Sequence, residues 1–354
     1  MRVLYFGTYE RAYPRNAQVI SCLRRAGVEV RERHEPVWDG HTAAWRAGTR
    51  DAARLALAEA RLVRAPDGRF DAVIVGYPGH FDLPLARRAA RGAPVVFNPL
   101  VSLADTFVDD RGRFGADSLA ARALTLWDRH ALRSADLVVS DTRANADHLA
   151  AVAGIHPARV AVCLVGAEER LFRPGWAPRE PFTCLFVGKL IPLHGLETIL
   201  EAARLAPEIP FRIVGSGQLD ALLASPPANV DHVTWIDYEL LPGELYRAGC
   251  ALGVFGTSAK AGRVIPNKAF QALACGAPLV TSDTPAAREL LVDGDSALLV
   301  PPGEPEALAG AIRRVAAEPG LADRLSAGGV AAYREHASED VLDARWRALL
   351  EGLA

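Results

Sequence analysis

The chain has 354 residues, half of them apolar, with 40 Lys plus Arg against 42 Asp plus Glu and a formal net charge of -2. That length exceeds one ordinary domain and suits two α/β domains with sizeable cores. The balanced charge excludes a general attraction for nucleic acid or an anionic membrane and leaves only local patches to supply one. The five cysteines, Cys22, Cys163, Cys184, Cys250 and Cys275, are scattered and never spaced as C-x-x-C. Neither a zinc site nor a disulfide framework is indicated, and the expectation is a cytoplasmic protein.

The first apolar run stops at Gly7 and Thr8, too short for a signal-peptide core or a membrane span, and reads as a buried strand. Residues 3–6, 72–75, 95–97, 137–139 and 160–164 are predicted strands without polar alternation, which predicts a parallel sheet covered on both faces. Val19, Cys22, Leu23 and Ala26 fall at helical spacing ahead of Gly27, a C-cap glycine. Arg46, Arg50, Arg54 and Arg61 lie on one side of a predicted helix, with Leu55, Ala58 and Leu62 on another. That pattern is a solvated face or a weak peripheral membrane contact.

Pro174, Gly175, Pro178 and Pro181 crowd residues 171–181, which predicts a linker between a first domain, 1–170, and a second, 182–335. Predicted strands resume at 182–187, 211–214, 233–236, 252–255, 279–281 and 297–300. Leu196, Ile199, Leu200 and Ala203 form one helical stripe, and Leu308, Ala311, Ile312 and Val315 another. Leu342, Trp346, Leu349 and Leu350 form a stripe in the terminal segment, 336–354. The fold class is α/β, two doubly wound Rossmann-like domains facing a central cleft, with ligands expected beyond the carboxyl ends of the strands.

Two loops suit a diphosphate. Residues 186–195 leave a strand and enter a helix, so the amides after Gly188, with Lys189 and a protonated His194, can face one anion; equally, Lys189 is solvated and His194 closes a turn. Lys260, Gly262, Arg263, Val264, Asn267 and Lys268 surround a second helix start at Pro266, where Gly262 lets backbone approach a ligand. Gly215 and Gly217 form a lone G-x-G turn. Asp237 follows about twenty residues on, where a dehydrogenase would hold ribose.

With these residues in view, the chain resembles the family-4 retaining glycosyltransferases over nearly its full length, most clearly from Phe182 to Arg314. Gly188-Lys189-Leu190 with His194-Gly195 is similar to that family's G-R/K-L and K-G phosphate loop, and Gly215-Ser216-Gly217 to its nucleoside-side turn. Gln271 through Pro278 resembles E-A-M-A-C-G-x-P, and Glu289, Asp293-Gly294 and residues 299–303 resemble the segment that follows. The family's two glutamates spaced E-x7-E fall on Arg263 and Gln271; Gln271 can still bond ribose hydroxyls, whereas arginine accepts nothing.

The resemblance implies the GT-B fold, a nucleotide-sugar donor, retention, and a small-molecule, lipid-linked or polysaccharide acceptor. It also implies a C-terminal helix crossing back to the first domain. Lys189, Arg263, Lys268 and His80 are the expected catalytic residues, His80 being placed in a turn open to the cleft. Gly7, Arg11, Asn16, Asn98, Asp105 and Arg111 are expected on the acceptor side, with Arg15 near the donor phosphates and Asn16 alternatively a helix cap. No D-x-D run lies beside the phosphate loop, so neither a metal nor any other cofactor is expected, and no nucleic acid. The competing readings are a catalytically silent nucleotide-sugar-binding protein, a nucleotide-sugar epimerase or phosphorylase, and a nicotinamide-dependent dehydrogenase.

Overall fold

The computed structural model describes residues 1–38, 49–64, 66–175, 177, 179 and 181–353, so Arg46 and Pro178 lie outside the described residues. The chain divides into two units, Met1–Val165 with Asp340–Ala354, and Gly166–Glu339.

The first unit is a parallel sheet in the order β2-β1-β3-β4-β5-β6. Its strands are β1 (Arg2–Gly7), β2 (Glu29–His34), β3 (Ala72–Val75), β4 (Val95–Phe97), β5 (Leu137–Ser140) and β6 (Val160–Val162). β3, β4 and β5 are buried at every position, as continuous apolar runs require. The helices are α1 (Pro14–Arg25), α2 (Thr49–Leu62), α3 (Leu83–Ala90), α4 (Leu119–Ser134) and α5 (Arg143–Ala153). Pro14 supplies a preset φ at the start of α1, and Gly27, at φ +77°, follows its end. Ser118 and Thr142 cap α4 and α5 through side-chain oxygens that accept from Ala121 N and Asn145 N. In α2, Ala58 and Leu62 are buried while Arg50, Arg54 and Arg61 face solvent.

β2 escaped the sequence reading. It runs E-V-R-E-R-H at the sheet edge, paired only with β1, and its charged side chains stay part-exposed. An apolar-run criterion is blind to such a strand.

The second unit is also parallel, in the order β9-β8-β7-β10-β11-β12. Counted from its own first strand this is 3-2-1-4-5-6, the order of dinucleotide-binding folds, with its switch point between β7 and β10. The strands are β7 (Cys184–Val187), β8 (Phe211–Val214), β9 (Val230–Val233), β10 (Cys250–Leu252), β11 (Leu279–Ser282) and β12 (Leu298–Val300). The helices are α6 (Leu196–Leu205), α7 (Leu241–Arg247), α8 (Asn267–Cys275), α9 (Pro305–Ala317) and α10 (Leu321–His336).

Two strands were expected too late. β9 enters the sheet at Val230, where Asn229 Nδ2 ties the approach to three carbonyls, Ala203, Ala206 and Ile209, and it has ended by Val233, with Trp235 beyond it 73% exposed. β10 stops at Leu252, after which the backbone leaves the sheet.

α11 (Glu339–Glu351) packs on the first unit: Leu342, Trp346 and Leu350 are buried among Val3, Tyr5, Val19 and Leu23. Arg25 ties it at its Nη2 to Asp343 Oδ1 at 2.8 Å. Among the described residues no helix is long and apolar enough to cross a membrane.

Candidate active site

The loops at the switch point of the second unit are laced together by backbone. Gly188 N donates to Val214 O at 2.9 Å, Leu190 N to Ser216 O at 3.1 Å, and Phe255 N to His194 O at 3.1 Å. Glycine is required where they touch: Gly188 (φ +148°), Gly215 (φ +141°) and Gly195 (φ +67°) occupy left-handed backbone. A Cβ on Gly217 would lie 2.5 Å from Leu190 O, and one on Gly195 2.5 Å from the Phe255 carbonyl carbon. This path brings the N-termini of α6 and α8 to the carboxyl ends of β7 and β10.

Lys268 and His194 flank Gly188. A Cβ built there would meet Lys268 Nζ at 2.8 Å and His194 Cε1 at 3.5 Å. His194 Nδ1 lies 2.5 Å from the Lys189 carbonyl oxygen, while the Lys189 side chain is exposed. Lys268 Nζ is enclosed, has no hydrogen-bond partner, and sits 3.7 Å from the centroid of the Phe186 ring. A desolvated cation over an aromatic ring gains about 2 kcal/mol. Taking an unpaired ammonium out of water costs several. Burial therefore wins and holds Lys268 well below the ordinary lysine range.

Of the other residues expected there, Lys260 is buried and Arg263 closes the turn Ala261–Arg263. Val264 is extended, and Asn267 is the first residue of α8. Gly262 has no negative-space demand, since a Cβ on it would meet nothing within 4 Å. Gln271 Nε2 donates to Tyr238 Oη at 3.4 Å. Asp237 does not close a strand; it precedes the turn Tyr238–Leu240, which removes the positional basis of the dehydrogenase reading.

In the first unit the switch point lies between β1 and β3, and here the expectations need correction. His80 is not open to solvent. It is 2% exposed, edge-on to Phe97 at 5.0 Å, with Nδ1 on the Pro78 carbonyl and Nε2 3.5 Å from Asp128 Oδ1. Burial pushes its pKa down against the pull of Asp128. Asn16 is not a cap, because Pro14 starts α1 two residues earlier. Its side chain is buried, bonding Tyr5 Oη at 2.9 Å, Glu10 O at 2.8 Å and Tyr77 O at 2.7 Å, which fixes the two loops beyond β1 and β3.

Arg15 and Asn98 are also turned inward. Arg15 Nε donates to Asn98 Oδ1 at 2.9 Å and Nη1 to Cys163 O at 2.7 Å, with the guanidinium 5.7 Å from the Trp346 ring centroid. Arg11 stays outside and pairs with Glu32 at 2.9 Å. Asp105 and Asp110 are buried in a π-helical turn, Asp105–Asp110, and Arg111 Nε lies 3.5 Å from Asp110 Oδ2. Gly7, at φ +126°, admits the Asp82 carboxylate, whose Oδ2 accepts from Thr8 N at 2.8 Å.

Asp82, Glu59 and Asp128 were missed by sequence reasoning. Asp128, wholly buried on α4, accepts from Ser102 Oγ at 2.7 Å, Leu103 N at 2.9 Å and Ala104 N at 2.9 Å, and so shapes the turn that leads into Asp105. Nothing local to these acids marks them, since their partners come from distant loops.

Comparison with known proteins agrees with this architecture. The Glycosyl transferase 4-like domain model matches residues 2–166, and the Glycosyl transferases group 1 model matches residues 181–318. The chain is 31% identical over 240 residues to a D-inositol 3-phosphate glycosyltransferase of Acidothermus cellulolyticus, covering 57% of this chain and 50% of the relative. It is 27% identical over 329 residues to D-inositol 3-phosphate glycosyltransferase 1 of Catenulispora acidiphila, covering 80% and 76%. Against the first of these it spans about half the relative's length. Its fold is similar to that of sucrose-phosphate synthase from Thermosynechococcus elongatus, with a TM-score of 0.77, 18% identity and coverage of 100% and 99%. It is also similar to HepE from Anabaena in complex with UDP-glucose, with a TM-score of 0.70, 15% identity and coverage of 99% and 100%. Two parallel sheets, glycine-laced loops at the switch point of the second and both family models lead to one conclusion: the chain belongs to the group 1, family-4-like glycosyltransferases of GT-B fold.

Proposed function

We propose that the second unit binds the diphosphate of a nucleotide sugar, and that the protein transfers the sugar with retention to a hydroxyl acceptor bound by loops of the first unit. The observation that carries this reading is the convergence of Lys268, His194 and the starts of α6 and α8 on Gly188. Helix starts and cations stabilise the charge that grows on a departing diphosphate. The acceptor oxygen bonds the anomeric carbon as the bond from that carbon to the diphosphate oxygen breaks, and the acceptor proton passes to a phosphate oxygen. Neither a metal nor a protein base enters this scheme. Lys189, Arg263 and Lys268 are assigned to the phosphates and Gln271 to the ribose. HepE has been solved with UDP-glucose and TarM with UDP, and the named relatives act on D-inositol 3-phosphate, so a UDP-sugar and an inositol phosphate are the first donor and acceptor to test.

A second reading, a silent binder of nucleotide sugars, is favoured by Arg263 and Gln271 at the two glutamate positions. One experiment addresses both. A thermal-shift panel of UDP-, GDP- and ADP-sugars on wild type and Lys189→Ala is followed by an assay for released nucleoside diphosphate with and without acceptor. At ~100-fold over the dissociation constant, a true donor adds about 2.7 kcal/mol of stability. Selective stabilisation lost in Lys189→Ala, with acceptor-dependent release, supports transfer. Binding without release supports the silent reading, and no stabilisation by any nucleotide sugar defeats both.

A further inference from the structure

Of the 40 basic residues in the chain only three are lysines, Lys189, Lys260 and Lys268, and all three stand in the two loops assigned above to the donor. Everywhere else a cation is wanted, the chain uses arginine. The two differ in one respect that matters here: a guanidinium stays charged wherever it is placed, whereas a buried lysine can give up its proton.

Lys268 is placed to use that difference. Its Nζ is enclosed and without a partner, against the face of Phe186 and beside the bare backbone of Gly188. Lys268 lines a largely apolar cavity of about 10 Å³ with Leu185, Val187, Leu241, Leu245, Leu252 and, as its one other polar side chain, Gln271, room for one water at most. The titratable neighbours are few. His194 approaches from the turn before α6, held by the Lys189 carbonyl, and Tyr238 lies beyond Gln271. β7, β10 and α7 bring only apolar side chains to the cavity. Burial outweighs the pull of the Phe186 ring on the ammonium, and no carboxylate among the described residues holds its charge.

We propose that donor binding is coupled to the uptake of one proton at Lys268 Nζ, so that the loop gains this cation only when a diphosphate occupies it. The inference rests on the donor reading above. The amine accepts a proton from solvent and the resulting ammonium pairs with a phosphate oxygen; no covalent bond is made. Because the bound state holds one more proton, affinity falls about tenfold per pH unit between the lysine's free-site and occupied-site titrations. Below that range the ammonium is present throughout and affinity is flat.

Isothermal titration calorimetry near neutral pH with UDP-glucose, GDP-mannose and ADP-glucose, in Hepes and in Tris, reads the uptake from the dependence of heat on buffer ionisation enthalpy. These ligands carry no phosphate group that titrates near neutrality, so the proton belongs to the protein. Uptake of about one proton is expected in wild type and His194→Gln, and none in Lys268→Arg. Three lysines also give three resolvable signals with ¹³Cε-labelled lysine, and the signal missing from Lys268→Arg should move from neutral amine to ammonium on saturation. Binding without uptake, uptake lost in His194→Gln instead, or a Lys268 signal already that of an ammonium in the free protein overturns the proposal while the donor reading stands. Failure of all three nucleotide sugars to bind overturns the donor reading and the proposal with it.

Discussion

A Cβ placed on Gly215 would lie 2.0 Å from the carbonyl oxygen of Gly188, so the loops leaving β7 and β8 meet through backbone alone. Gly215→Ala must push them apart and also hold a side chain at φ +141°. Left-handed strain and overpacking together cost about 2–4 kcal/mol. The expected outcome is a lower urea midpoint with loss of nucleotide-sugar stabilisation; a wild-type midpoint would show that the loops can separate freely.

Asp128 holds one hydroxyl and two amides of the turn at 102–104 from a fully buried position. Asp128→Asn keeps one acceptor oxygen and puts an amide donor at the other position, so either Leu103 N or Ala104 N loses its acceptor, at a cost of about 1–3 kcal/mol. Denaturant unfolding checks the stability. In the assay the acceptor KM should rise while the nucleotide-sugar Kd holds, because the turn leads into Asp105 in the first unit.

Burial, with the neighbouring Asp82 carboxyl, pushes Glu59 up to about 9 from 4.5. The folded protein then binds more protons than the unfolded chain between those values, so this group's contribution is present at low pH and lost as pH rises toward about 9. Wild type should melt earlier as pH is raised through that window, and Glu59→Gln should flatten the dependence. A parallel slope in the variant would assign the effect to other groups.

Trp346 is 1% exposed and packs with Leu342 and Leu350 among β1 and α1 side chains. Trp346→Ala removes that packing and the ring beneath Arg15, costing about 3–5 kcal/mol. The loss should appear in the unfolding of the first unit, followed by amide exchange in β1 and β3, with β7 and β8 protected as before.

Legibility in the sequence followed the range of the interactions involved. β3, β4 and β5 were readable because burial on both faces writes an unbroken apolar run. β2 was not, since an edge strand can carry Glu29, Arg31 and Arg33. Gly188, Gly215 and Gly217 were readable because tight turns demand glycine locally. The seat of Lys268 on Phe186, the burial of His80 against Asp128 and the Asp82 carboxylate beside Gly7 join residues from separate loops, and no window of sequence contains both partners. Composition carries a further signal: the three lysines among 40 basic residues all stand in the two loops proposed to hold the donor.

The route of α11 sets an order on biosynthesis. The first sheet is translated before the second, yet the face of β1 and β3 that carries Val3, Tyr5 and Ile74 receives Leu342, Trp346 and Leu350 only after residues 166–339 have been made. On the ribosome the first unit therefore waits with an open apolar face while an entire second sheet is synthesised. Its final closure is a late step that a truncated or stalled chain never reaches.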